Sequence, residues 1–505
     1  MIKFGWSTKD VSTDKPVCIP GQYYLRISKG VLDSSTVTAL TVHDGKDYVI
    51  FLSCDQVEMA AGVISKIRER VESLDSEIDG LKIVMNTTHT HCAPLVTTGD
   101  NVDTWGTRMD EFPHDDVEIT DPREYSEFFI QTAACAVVES FHNRTEGAMS
   151  YGYGYAVVAH SRRSVYFEDL FKKKGYESNA SSVRGNAIMY GNTNEEMFSH
   201  YEAGADHLAN FMFTFDKDEK LTGAIVNIPC PSQNSECEWY ISSDYWHEVK
   251  CEIRKKYGDI HILAQCAAAG DLSPRILHYK DAQDRRYRLK YADYEIDKRA
   301  EFVEEMYTRR DIAIRISEAF SEVYEWASKE KITDAPVVHT VKTIELDKRL
   351  ITDEEYNCCL IEKEKLKERK PFVTEGAPLE KLEKNTIIVA SSKRYNDVIS
   401  RYETQKAQPK HPTEIHVIKI GEIAFASNQF ELYMDYQHRI QARSPFTQTF
   451  IVQLCAQPDS CGTYLATERG VSGGGYSASM YCNLVSPKGG QQLVEETVNE
   501  LKNIY

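Results

Sequence analysis

Nowhere does the chain approach the run of about eighteen consecutive apolar residues that a membrane-spanning helix needs. Its opening, MIKFGWSTKD, has no basic segment followed by an apolar stretch and a small-residue cleavage site, so no secretory leader is expected. Basic charge is not in surplus either. Lys and Arg total 59 against 77 Asp and Glu, giving a formal charge of −18 and a pI near 5.4. That balance argues against a nucleic-acid partner, whose phosphates need a basic surface. No CxxC pair, internal repeat, coiled-coil heptad or low-complexity linker is present, which removes the usual grounds for a structural role. The 13 cysteines are odd in number and scattered from Cys18 to Cys482. They read as reduced, buried small hydrophobes of a cytoplasmic protein rather than a disulfide framework. Without secretion, the sequons at Asn86, Asn143 and Asn179 carry no meaning.

What remains is an ordinary globular composition: 42% apolar, 27% charged and 10% aromatic in 505 residues. Length alone suggests about three domains, but one catalytic unit is the simplest account. Residues 36–43 and 47–54 are β-rich and flank Asp44-Gly45-Lys46, a hairpin loop. Val63, Ile64, Ile67, Val71 and Leu74 then fall at helical spacing. LKIVMNTTHTH reads as an apolar strand ending in polar groups, and 123–142 as a helix. Strand, helix and strand recur at 221–230, 243–257 and 260–266. The alternation predicts an α/β protein with a mixed, partly parallel sheet flanked by helices. From 281 to 330 and 353 to 408 the chain is dense in Lys, Glu, Arg and Tyr with helical patterning. This stretch, about 281–410, reads as a charged helical insertion. Strands resume at 413–427 and 446–455, and 491–504 is a closing helix.

Four local signals carry chemistry. Thr88-His89-Thr90-His91 ends a strand, and alternation there points both imidazoles to one face. That suits a metal ligand with a neighbouring proton donor, or two hydrogen-bonded histidines. Gly270-Asp271-Leu272-Ser273-Pro274-Arg275 follows another apolar strand. Its serine is either exposed to a pocket or, like Asp271, a helix cap. Thr463-Tyr464-Leu465 and Gly473-Gly474-Gly475-Tyr476 place tyrosines beside glycines, as a pocket or as a surface loop. Glu431 begins an apparent helix, where the dipole favours a carboxylate.

In order and context these signals resemble the catalytic domain of the neutral/alkaline (non-lysosomal) ceramidase family. THTHCAP (88–94) resembles the family's THTHSGP-like motif, and GDLSPR (270–275) its GDVSPN-like serine motif. NQFE (428–431) resembles its PGEF-like glutamate, and Tyr464 and Tyr476 share the family's spacing of 12. Ser53-Cys54-Asp55 and the segment from Ser161 to Tyr166 resemble two further family stretches. The ordered set spans nearly the whole chain; the intervening sequence looks unrelated.

The resemblance implies a zinc-dependent hydrolase of linear amides, with His89, Glu431 and Tyr464 as zinc ligands. It implies that His91, Arg162 and Tyr476 contact substrate or steady the oxyanion, and that Ser273 is the catalytic serine or a positioning group. Gly21 and Asp55 match pocket positions. The family's second zinc histidine is replaced by Cys230, in Pro229-Cys230-Pro231-Ser232-Gln233. A thiolate is a good zinc ligand, so Cys230 is expected to ligate; a buried, non-ligating cysteine is the competing reading. The chain stops where the family continues into an immunoglobulin-like domain, so a single catalytic domain over 1–505 is expected. The substrate is expected to be a small soluble N-acyl compound. The alternative is a metal- or ligand-binding protein that keeps the pocket without catalysis.

Overall fold

Two mixed β-sheets lie face to face, with helices covering both outer sides. The computed structural model describes residues 1–172, 183–368, 372–459 and 463–505; the sequon at Asn179 falls outside them. The larger sheet uses β1 (Lys3–Asp10), β2 (Thr36–His43), β3 (Tyr48–Cys54), β4 (Ile83–Thr87), β5 (Thr145–Tyr155), β6 (Leu208–Asp216), β7 (Leu221–Ile228) and β8 (His261–Cys266). Their order is β8-β7-β6-β5-β1-β2-β3-β4. The β3–β4 and β7–β8 pairs are parallel and the others antiparallel. The smaller sheet runs β9 (Val337–Asp347), β10 (Lys410–Ile420), β11 (Ile423–Ser427) and β12 (Gln448–Val452), with β11–β12 parallel. This is the mixed α/β architecture expected from the alternation of elements.

Local chemistry explains the elements. The β2–β3 hairpin closes because the Asp44 carboxylate accepts the backbone N–H groups of Lys46 at 2.7 Å and Asp47 at 2.9 Å. Period-two alternation sorts β6: Phe211, Phe213 and Phe215 pack under α3 (Tyr245–Tyr257) and α5 (Val303–Ala327), while Met212 faces the smaller sheet. Between the sheets Phe51 meets Phe425 at 4.8 Å, and Phe425 stacks on Phe450 at 4.4 Å. Each such fully buried ring contributes roughly 1.5–3 kcal/mol. On the far side of β2 and β3, Ile64, Ile67 and Val71 of α1 (Val63–Leu74) meet Phe129, Ala133 and Val137 of α2 (Pro122–His142).

The charged middle is helical where its patterning indicates: α4 (Lys280–Lys290), α5, α6 (Asp353–Lys367) and α7 (Pro378–Thr404). The edge strand β9 runs between α5 and α6. One end of α7 is tied to the loop near Gly21, where Thr386 Oγ1 accepts the Leu25 N–H at 3.0 Å.

Two sequence expectations need correction. β4 ends at Thr87, so His89 and His91 lie in the loop beyond it. Glu431 lies in a two-residue strand, Glu431–Leu432; the following helix, α8 (Met434–Gln441), starts later. Its first N–H, from Met434, bonds the Asp271 carboxylate at 3.0 Å.

Candidate active site

The parallel strands deliver their loops to one end of the sheets, where ligands gather in α/β folds. Val57 and Glu58 follow β3, His89 and His91 follow β4, Gln233 follows β7, and Glu431 follows β11. These residues line a cavity of about 420 Å³, together with Arg162, Tyr464 and Tyr476.

The two threonines of Thr88-His89-Thr90-His91 hold the loop so that its histidines are free to face the cavity. The Thr88 carbonyl accepts the Ser232 N–H at 3.3 Å, and Thr90 Oγ1 donates to the Ser242 carbonyl at 2.8 Å. His89 itself takes φ 67°, left-handed geometry that costs a non-glycine residue about 1–2 kcal/mol. This kink, rather than strand alternation, brings the imidazoles together, with Nε2 atoms 3.3 Å apart. His89 Nδ1 donates to the Val57 carbonyl at 2.9 Å. The tautomer is thereby fixed, and the Nε2 lone pair points at Glu431 Oε2, 3.4 Å away.

Glu431 and Tyr464 are direct partners in a parallel two-stranded pairing, so register sets them side by side. Arg162 binds both: its Nη2 donates to Tyr464 Oη at 3.0 Å, to Glu431 Oε2 at 3.3 Å and to the Gly270 carbonyl at 2.8 Å. Its Nη1 donates to Gln233 Oε1 at 2.9 Å. Both Nη groups of the buried guanidinium are engaged, holding carboxylate, phenol and amide together, while its Nε makes no hydrogen bond.

Burial sets the protonation states. It drives the His91 imidazole well below its usual range, helped by His89, Arg26 and Arg162, so the ring is neutral. His91 Nδ1 has no hydrogen-bond partner and lies against Gly21, where a Cβ would come within 2.7 Å of it. Gly21 has φ 98°, so glycine is required there on both counts. Burial also pushes the Tyr464 and Tyr476 phenols well above their normal range, leaving both protonated. Gly474 and Gly475, at φ 74° and 85°, turn the chain so that Tyr476 enters the cavity.

Three expected site residues stay outside the cavity wall. The Cys230 thiol is fully buried and faces the Val158 carbonyl at 3.5 Å. Burial, then neighbouring Cys266, pushes it well above the thiol range. Pro231 and Ser232 turn the chain so that Gln233, not Cys230, reaches the cavity. Ser273 is buried in a two-residue strand and its Oγ accepts the Arg275 N–H at 3.1 Å, a local turn bond. Asp55 pairs with Lys250 at 2.7 Å and accepts the Thr36 N–H at 2.9 Å, pinning β3 to β2.

Sequence reasoning did not single out Glu58, Glu236 or the aromatic wall formed by Tyr23, Trp105 and Tyr481. Burial and the nearby Glu431 charge push the Glu58 carboxyl up to about 8. The one available signal for it was its place just beyond the strand ending at Cys54. Among the described residues no three His, Cys, Asp or Glu side chains converge to hold a metal. The facing donors are His89 and Glu431, with the Tyr464 phenol beside them. Their 3.4 Å separation matches the roughly 3.3 Å edge of a tetrahedron with zinc bonds of about 2.0–2.1 Å.

No protein-family model and no curated protein sequence matches the chain. Among solved structures, its fold is similar to that of neutral ceramidase from Pseudomonas aeruginosa. The TM-score is 0.65 at 14% identity, over 100% of this chain and 74% of that one. A ceramidase complexed with C2 is similar at TM-score 0.64 and 12% identity, over 100% and 75% of the two chains. At such identities the likeness establishes the fold.

Proposed function

We propose that this protein is a single-domain, cytoplasmic hydrolase of the amide bond in small N-acyl substrates, with zinc held by His89, Glu431 and Tyr464. The observation that carries this reading is the His89 Nε2 lone pair, locked by the Val57 carbonyl and facing Glu431 at 3.4 Å. Three protein donors with an open fourth position are the donor set of a catalytic zinc site, and Cys230 is not needed to complete it. When bound, zinc supplies Lewis acidity for the scissile carbonyl and makes the attacking water more acidic.

This chain's own groups perform the remaining work. Arg162 fixes the orientation of Glu431 and Tyr464. His91 is neutral; its Nδ1 makes no hydrogen bond, with Glu236 Oε2 out of reach at 3.9 Å, so its proton is assigned to Nε2, on the side of the ring that meets His89. There it donates to the developing oxyanion beside the Tyr476 hydroxyl. Glu58 carries a proton near neutral pH, which it gives to the departing amine nitrogen and recovers from the attacking water. Ser273 steadies the turn that presents the Gly270 carbonyl to Arg162, rather than acting as nucleophile.

The test is turnover of a panel of N-acyl amides by zinc-supplied wild type and His89→Ala. Release of amine by wild type, abolished in the variant, is expected. Stoichiometric zinc with no turnover of any panel member would refute hydrolysis and favour a binding protein that keeps the pocket. The buried Cys230 and Ser273 are the observations that favour that second reading.

A further inference from the structure

Among the described residues, the buried arginines have evident partners, and a half-buried one in the aromatic cluster stands apart from them. Arg162 has Glu431, Arg163 has Glu202, Arg309 has Asp33 and Glu248, and Arg68 has Glu414. Arg26, which lacks a carboxylate, instead donates to the carbonyls of Pro20, His91, Glu236 and Glu238. Arg401 likewise donates to the carbonyls of Met480 and Asn483.

Arg394, on α7, has neither kind of partner among the described residues. Its guanidinium carbon lies 4.3 Å from the Tyr481 ring centroid, 4.5 Å from Tyr23, 5.6 Å from Trp105 and 5.9 Å from Tyr395. Its Nε is buried without a hydrogen bond, as are those of Arg26, Arg68, Arg162 and Arg349, so what sets Arg394 apart is the lack of a carboxylate or carbonyl partner. Cation–π contact offsets part of the cost of removing a guanidinium from water. It leaves the N–H donors, built for a planar bidentate acceptor, without a carboxylate.

The position of Arg394 relates this unfilled capacity to the candidate active site. Tyr23, Trp105 and Tyr481 all line the cavity. Tyr23 and Tyr481 each pack against Tyr476, at 5.5 and 5.8 Å between ring centroids. Tyr476 in turn packs on Tyr464 at 5.9 Å. Arg394 does not itself line the cavity; it stands directly behind this aromatic wall, against three rings that do. Arg162, which lines the cavity, is matched by Glu431, and Arg275, just outside the lining, is matched by the lining residue Glu236 at 2.5 Å. Glu58 lies near Glu431.

Resting on the amide-hydrolase reading, we propose that Arg394 is a specificity-determining residue that selects substrates carrying a carboxylate. The aromatic rings would receive the apolar part of the substrate while the guanidinium pairs with its anionic end. The helical insertion thereby supplies the selectivity of a cavity built by the sheets.

The test uses N-octanoylglycine and N-succinyl-octylamine, each against its uncharged carboxamide, with wild type, Arg394→Lys and Arg394→Met. Binding is measured by calorimetry and turnover by amine release, separately. A charge-assisted pair predicts a wild-type preference of about tenfold to a hundredfold for at least one carboxylate over its carboxamide. The preference should collapse towards one in Arg394→Met and survive in part in Arg394→Lys. Arg394-dependent binding preference without turnover would uphold this selection while refuting hydrolysis. Equal handling of acid and carboxamide by wild type, or a preference unchanged in Arg394→Met, would overturn it. So would a loss of stability in the variants with no change in the ratio, which would make Arg394 a structural clamp.

Discussion

Replacing Cys230 and His89 separately by alanine should have opposite consequences. Cys230 sits in the core beneath α3, with its thiol on the Val158 carbonyl and its own carbonyl accepting the Tyr245 hydroxyl at 2.7 Å. Alanine there keeps the backbone contact and removes one buried sulfur. The expected cost is about 1–2 kcal/mol of stability, from lost packing where the surroundings collapse only partly. Zinc stoichiometry should not change, and affinity should stay within about twofold. His89→Ala removes one of the three proposed donors. It should weaken zinc by more than the tenfold to hundredfold that follows loss of an outer hydrogen-bond partner. Elemental analysis of the purified proteins gives stoichiometry, competition with a chromogenic chelator gives affinity, and thermal melts give stability. Loss of zinc in Cys230→Ala to the extent seen in His89→Ala would refute the three-donor site. Zinc retained in both would refute His89 as a ligand.

Three further outcomes follow from the geometry. Gly21→Ala places a Cβ within 2.7 Å of His91 Nδ1 at φ 98°; displacing that ring should lower kcat/KM about tenfold to a hundredfold, and an unchanged value would exclude His91 from the chemistry. Tyr476→Phe should reduce kcat about a hundredfold with little change in KM, and a change confined to KM would make the hydroxyl a binding group. Burial pushes the Glu414 carboxyl up, but its bonds to His416 and Arg68 prevail and hold it at about 2 rather than 4.5. A depressed carboxylate stabilises the fold above pH 4.5, by about 3 kcal/mol, and that stability is lost as pH falls through 2. Urea melts should therefore show Glu414→Gln weakened at pH 7 and the gap narrowing at pH 3; a gap independent of pH would count against this ion-pair cluster.

Much of the fold could be read from the chain because neighbouring residues determine it. The hairpin at Asp44-Gly45-Lys46, the apolar stripe of Val63–Leu74 and the alternation in Leu208–Asp216 all depend on local geometry and a buried face. The bracketing of the charged helices was legible for the same reason. Residues that the motifs singled out, His89, His91, Arg162, Glu431, Tyr464, Tyr476 and Gly21, all line one cavity. Sequence order by itself could not decide which side chains turn inward. The Pro-Cys-Pro-Ser-Gln bend sends Gln233 to the cavity and Cys230 to the core, a choice made by packing against Tyr245 and Val158. Glu58, Tyr23 and Trp105 belong to loops without periodicity, and Arg394 belongs to a helix whose charge looks merely solvated. Residue types and their spacing thus determined the chemistry available to this protein and the strands that carry it. Tertiary structure decided which groups lose water together, because desolvation and pairing depend on contacts between segments hundreds of residues apart in the chain.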